Sequence, residues 1–283
     1  MGKTRKICLF IVEGIADESS LALPLQNIFD SYYKQKGIEF QITNGDITSR
    51  NSTTVQNIVA KIGKAVTNFL NRHHLQKKDI YQVVQIVDMD GAYIDDSEVV
   101  FDTSRSFSQY PFYGENKIFV QSPEKISSLQ ERNCRKSKNL ERIISLPQVM
   151  GIPYDIYYFS CNMDHVLHNN ANMDDAKKVD EAEKFADQFG NDSEGFLGFI
   201  ESAYPKNVDC NKEQSWEYIR MKNNSLTRCS NFILFFDHNQ FGLECQSPFV
   251  VGGCCFSGDG QAFAAAGDGD DFFAGQRGIR CQL

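Results

Sequence analysis

Ile7-Cys8-Leu9-Phe10-Ile11-Val12-Glu13-Gly14 is an uninterrupted apolar run that stops at an acid and a glycine. A strand with one wet face alternates apolar and polar residues; a continuous run belongs to a strand covered on both faces. Downstream, Leu21, Leu25, Ile28, Phe29 and Tyr32 recur at helical spacing, with Pro24 tolerable only near a helix start. Ile38–Ile42 reads as a second strand, closed by Asn44-Gly45. Val55, Ile58, Val59, Ile62, Val66, Phe69 and Leu70 then form one face of a long helix behind Ser52 and Thr53. Tyr81–Val87 is a third buried strand and ends in Asp88-Met89-Asp90-Gly91. This alternation predicts right-handed crossovers, hence an α/β fold with a mostly parallel sheet flanked by helices. Ile118–Val120 and Ile156–Phe159 are further strand candidates on either side of a polar helix. From Met163 to Asn224 the pattern is helical, with Phe196, Phe199, Ile200 and Tyr204 on one face.

The chain has 283 residues, 41% of them apolar and 23% charged, which is ordinary globular composition and excludes collagen-like, disordered and coiled-coil classes. It contains no apolar run long enough to span a bilayer, and the run Ile7–Val12 is too short for a signal peptide, so a cytoplasmic location is expected. With 29 basic and 37 acidic residues the net charge is −8, which argues against a broad nucleic-acid footprint but allows a local basic groove. The nine cysteines contain no C-x-x-C spacing, so reduced structural thiols are expected. Residues 241–283 differ in character: no Lys, no Asn, nine of the 20 Gly and four of the nine Cys. This composition reads as a fused or out-of-frame tail, dispensable for folding. The expected organisation is an α/β domain over 1–165, a helical extension over 166–240 and the tail.

Glu13 and the pair Asp88-x-Asp90 each follow an apolar strand, at the sheet edge where ligands of parallel α/β folds bind. Three converging carboxylates would repel one another unless a cation lay between them, and oxygen-only ligands point to Mg²⁺ or Mn²⁺. The competing reading is a set of strand-end acids facing solvent. The wording Phe10-Ile11-Val12-Glu13-Gly14-Ile15-Ala16-Asp17-Glu18, followed by Val87-Asp88-Met89-Asp90-Gly91, resembles the Toprim family, the catalytic fold of topoisomerases, primases and overcoming-lysogenization-defect nucleases. The resemblance implies a Toprim/Rossmann-like sheet, a general acid/base role for Glu13 and metal binding by Asp88 and Asp90. It also marks Asp17 and Glu18 as the family's helix-start acids.

A second constellation, Ser160-Cys161-Asn162-Met163-Asp164-His165-Val166-Leu167-His168, follows the Ile156–Phe159 strand. It is loosely similar to a Ser-Asn-Pro segment of the RloB type of bacterial defence protein, but lacks the Pro, Phe and Trp. Asn162, Asp164, His165 and His168 are accessory candidates, with a helix cap and solvated histidines as the plain alternative. The resemblance implies a metal-dependent nuclease of a mobile-element or phage-defence system, acting on nucleic acid and with a possible protein partner. The rival readings are a haloacid-dehalogenase-type phosphatase with Asp88 as nucleophile, and a non-catalytic module. Phosphate contacts are expected along the polar helix, at Lys125, Arg132, Arg135, Lys136, Lys138 and Arg142, with Arg135, Lys136 and Lys138 as its centre.

Overall fold

The computed structural model describes residues 6–34, 37–45 and 47–238; the tail, and with it the expectation that it is dispensable, lies outside the described residues. Along the chain run β1 (Lys6–Val12), α1 (Ile15–Ile28), β2 (Ile38–Asn44), α2 (Ile58–Arg72), β3 (Ile80–Asp88), the short strands β4 (Val99–Val100), β5 (Phe112–Tyr113) and β6 (Ile118–Phe119), and α3 (Glu124–Ile144). Then come β7 (Gln148–Val149), β8 (Ile152–Ser160), α4 (Met163–His168), α5 (Asp175–Phe189), α6 (Ser193–Ser202), α7 (Lys212–Arg220), β9 (Cys229–Ser230) and α8 (Ile233–His238). The main sheet has the order β2-β1-β3-β8-β7, with β9 pairing β8. β1 is parallel to both β2 and β3, and β3 is parallel to β8. The chain is therefore α/β with a mostly parallel sheet flanked by helices.

Strand alternation sorts the core into two layers. Cys8, Phe10 and Val12 face one way, with Val84, Ile86, Tyr157 and Phe159, and meet α1, α5, α6 and α8. Leu9, Ile11, Val83, Val87, Ile156 and Tyr158 face the other way, towards α2, α3 and Trp216 of α7. The helices after Ser160 thus share a hydrophobic layer with α1. Pro24 lies in the interior of α1 rather than near its start, and the helix continues as a π-turn over Phe29–Tyr33. A proline lacks the N–H that would bond back to Ser20, and burial of Leu21, Leu25 and Ile28 holds the helix through that gap.

β8 is closed along its outer edge. β7 folds back on it through Met150-Gly151, both at positive φ (56° and 79°), as a two-residue hairpin with a right-handed twist requires. At the other end β9 pairs antiparallel with Phe159 and Ser160. Between them the N–H of Tyr154 donates to Pro147 O (3.0 Å), that of Ile156 to Asp155 Oδ1 (2.9 Å) and that of Tyr158 to Asn231 Oδ1 (2.8 Å).

Phe10 is fully buried and meets the rings of Phe29, Phe40, Phe232 and Phe235 edge-on. Phe10→Ala should cost about 3–5 kcal/mol, the range for a buried aromatic truncation. Urea unfolding should show a lower midpoint with an unchanged slope; a loss below about 1 kcal/mol would mean that this ring cluster does not hold the two halves of the layer together.

Candidate functional site

β1 and β3 are neighbours, so their carboxyl ends deliver Glu13 and Asp88 side by side, and the turn after β3 adds Asp90. Asp90 and Gly91 take positive φ (51° and 67°), which reverses the chain within two residues. Gly91 is required there: a Cβ would come within 2.7 Å of Ile118 Cδ1 and 2.8 Å of Leu226 Cδ2. The Asp90 N–H donates to Cys161 O (2.6 Å), tying this turn to the end of β8.

The ammonium group of Lys136 lies among the carboxylates. Its Nζ is 2.6 Å from Asp90 Oδ2 and 3.6 Å from Glu13 Oε1, and the side chain is 0% exposed. Arg132, one turn earlier on α3, donates from Nη2 to Asp90 O (2.8 Å) and places Nη1 3.9 Å from Asp90 Oδ2. The Tyr113 hydroxyl donates to Asp90 Oδ1 (3.3 Å) and the Thr48 hydroxyl to Glu13 Oε1 (2.9 Å). Asn139, one turn after Lys136, is buried and donates from Nδ2 to Thr48 O (2.9 Å). A polar stripe of α3 is therefore turned inward.

These surroundings drive the carboxylates apart in acidity. Burial pushes Asp90 up, but Lys136 and then Arg132 outweigh it and hold the group below its ordinary value. Asp88 goes the other way: burial first, then Asp17, Glu13 and Asp90, raise it well above the ordinary range, with Lys136 opposing. Asp88 Oδ1 accepts the Met163 N–H (2.8 Å), which links it to the start of α4. Asp17 accepts the N–H of Gly14, the N-cap residue of α1 (2.7 Å), yet burial, with Asp164 and Asp90 adding repulsion, raises it to about 6. Glu18 is half-buried in the same turn.

The second constellation joins the first through Asp17 and Asp164. Asp164 lies 3.5 Å from Lys178, and burial raises its pKa. Asn162 caps α4: its Oδ1 accepts the His165 N–H (2.8 Å) and its Nδ2 donates to Ala171 O (2.9 Å). His165 Nδ1 accepts the Cys161 N–H (3.2 Å), and burial, then Arg228, pushes its pKa down to about 4. His168 packs edge-on against Phe185.

The expectation for α3 needs correction. Lys136 does not lie on an outer docking face; it is the buried counter-ion of Glu13 and Asp90. Arg135 donates to Asn51 Oδ1 (2.7 Å), while Lys138 is exposed. The signal was in the spacing: Lys136 stands seven residues after Leu129, four before Leu140 and seven before Ile143, on the buried stripe. Counting charge along the helix hid that phase. Among the described residues, no three His, Cys, Asp or Glu side chains stand close enough to hold one metal ion as they are placed. No described helix is long and apolar enough to cross a membrane.

Asp17 provides a test of this electrostatic picture. A carboxyl whose folded pKa is raised binds its proton more tightly folded than unfolded, so its stabilisation holds at low pH and is lost as pH rises through about 6. In chelator-containing buffer, Asp17→Asn should gain on the wild type by roughly 2 kcal/mol between the unfolded carboxyl pKa, about 4, and pH 7. A difference in unfolding free energy that does not change across that window would place Asp17 in solvent.

Comparison of the chain with protein-family models, with curated proteins and with solved structures finds no match, and the functional reading rests on the geometry of the site.

Proposed function

We propose that the carboxyl edge formed by Glu13, Asp88 and Asp90 is a Toprim-like, divalent-metal-dependent centre for phosphodiester hydrolysis in nucleic acid. The observation that carries this reading is the imbalance of charge: Glu13, Asp17, Asp88 and Asp90 act on one another, while Lys136 and Arg132 face Glu13 and Asp90, and Lys178 faces Asp17. Lys136 and Arg132 both favour Asp90, and Asp88 is left with its charge strongly opposed. Such a group either takes a proton or takes a cation. The donors are all carboxylate oxygens, which suit Mg²⁺ or Mn²⁺ and not zinc. Glu13, Asp88 and Asp90, closing on one another from their present positions around Lys136, would hold the ion, which when bound would polarise a phosphodiester.

The chain's own groups supply the rest. Glu13 Oε1, held by the Thr48 hydroxyl, is the base that takes a proton from an attacking water. Arg132 and Lys136 offer positive charge where a scissile phosphate gains negative charge. A second reading, a non-catalytic module, has one observation in its favour: Lys136 already bridges Glu13 and Asp90.

The two readings separate on metal and on Glu13. Mg²⁺ or Mn²⁺ should raise the melting temperature of the wild-type chain by mass action, and Asp88→Asn/Asp90→Asn should abolish that rise. Equal stabilisation of both proteins would eliminate this metal site. Glu13→Gln should reduce cleavage of labelled oligonucleotides at least about 100-fold, the scale of a lost general base. Wild-type protein that binds metal at these residues and cuts no nucleic acid would favour the non-catalytic module.

Lys136→Met isolates the counter-ion. Removing one member of a buried ion pair strands the other and costs about 3–5 kcal/mol. In metal-free buffer the variant should melt well below the wild type, and Mg²⁺ should recover more of the loss than it adds to the wild type. Equal metal-induced shifts in the two proteins would show that the ammonium and the metal do not share the same carboxylates.

A further inference from the structure

Beside Glu13 the sheet edge opens into two cavities that share Arg50. One, of about 610 Å³, is lined by Arg50, Lys125, Arg132 and Arg135 together with Tyr110 and Leu129. The other, of about 350 Å³, is lined by Arg50, Lys61, Lys64 and Arg72 together with Ser52 and Asn68. No carboxylate among the described residues lines either cavity. In a chain of net charge −8, seven cations without an acid among them are a local inversion of sign.

The arrangement is costly to the fold. Lys61, Lys64, Asn68 and Arg72 recur at intervals of three, four and four residues, one stripe of α2, where like charges destabilise a helix. Lys64, Arg72, Arg50 and Lys125 are exposed, and among the described residues none of them is ion-paired with a carboxylate. Lys61 is held at the cavity by the hydroxyls of Ser52 (2.7 Å) and Thr53 (3.0 Å). Both cavities adjoin the carboxylate group. Arg132 lines the first and also donates to Asp90 O, while Arg50 lies two residues beyond Thr48, whose hydroxyl holds Glu13.

We propose that the two cavities form one tract for the phosphates of a single-stranded polynucleotide, running from the carboxylate group across Arg50 and along α2. The assignment rests on the nucleic-acid reading above and names its substrate class. Cavities of a few hundred Å³ admit single nucleotides, not a duplex. Tyr110 supplies a ring beside Lys125 and Arg132, the pairing of aromatic face and cation by which unpaired bases are held. The tract leaves out Lys138, which lines a different cavity that meets the first at Arg135 and carries the carboxylates of Asp96 and Glu131.

The test measures binding without catalysis. A fluorescein-labelled oligothymidylate is titrated in EDTA at several salt concentrations, followed by anisotropy. Arg50→Gln/Lys64→Gln/Arg72→Gln should weaken binding at least about tenfold and lower the log–log salt slope by about two, the value for three lost single-strand phosphate contacts. Lys138→Gln/Arg142→Gln should stay within about twofold of the wild type. All five residues but Arg142 lie at cavity surfaces and none is in the core, and matching melting curves establish that the variants fold. An unchanged slope in the triple variant overturns the tract, as does a wild type that binds no oligonucleotide. So does a blunt duplex that binds as tightly with the same sensitivity, or polyglutamate that competes equally at equal charge and marks an acidic protein as the occupant. Cleavage by the wild type with an unaltered triple variant removes the tract and leaves the hydrolytic centre standing; tract-dependent binding with no metal-supported cleavage does the reverse.

Discussion

A single buried ammonium organises the carboxyl edge of this sheet. Taking Lys136 out of water costs several kcal/mol, which only close and well-directed carboxylates can offset. Burial pushes its pKa down, but Asp90, then Glu13 and Asp88, more than reverse that, so it stays charged. The pair with Asp90 at 2.6 Å and the approach to Glu13 at 3.6 Å then tie three pieces of chain together: α3, the end of β1 and the turn after β3. Arg132 and Asn139 extend the tie by a turn on either side. Leu140 and Ile143 anchor the same helix in the apolar layer. The position of α3 is thus set by charge at one end of the stripe and by hydrophobic burial at the other.

The sheet was legible because its long strands carry an apolar pattern: β1 is a continuous run, β3 is apolar but for Gln82, Gln85 and its terminal Asp88, and β2 alternates Ile38, Phe40 and Ile42 with polar residues. The observed strands Lys6–Val12, Ile38–Asn44 and Ile80–Asp88 each contain the run expected of them, and the strand ends fall at Glu13 and Asp88. Of the two-residue strands, β6 falls inside the expected Ile118–Val120 run, whereas pairs such as Cys229–Ser230 and Gln148–Val149 carry no period, and their pairing is imposed by β8. Pro24 was misplaced because sequence rules discourage proline inside a helix, whereas packing of Leu21, Leu25 and Ile28 keeps α1 intact around it.

The site shows the same division. Backbone position followed from sequence: residues at strand ends lie at the sheet edge whatever their environment. Partnership did not. Which cation meets which carboxylate depends on the phase of α3 over the sheet, and a dense basic run looks the same whether it faces water or a cluster of acids. Asn162 was legible as a cap because a helix N-terminus needs a side-chain acceptor locally. The link from Asp17 to Asp164 was not, since it joins α1 to α4 through space.

The closed edge of β8 has a consequence for how copies of this chain meet. An unprotected strand edge presents a row of amide donors that another strand can adopt, the starting point of sheet-to-sheet aggregation. On β8 the alternate N–H groups of Tyr154, Ile156 and Tyr158 are already taken by Pro147, Asp155 and Asn231, and the Tyr158 carbonyl accepts the Ser230 hydroxyl (2.8 Å). Asp155 and Asn231 act there as substitutes for a missing neighbour strand, using side chains that do not propagate a ladder. Crowding at this flank therefore brings together surfaces on which these alternate donors of β8 are already engaged within the chain.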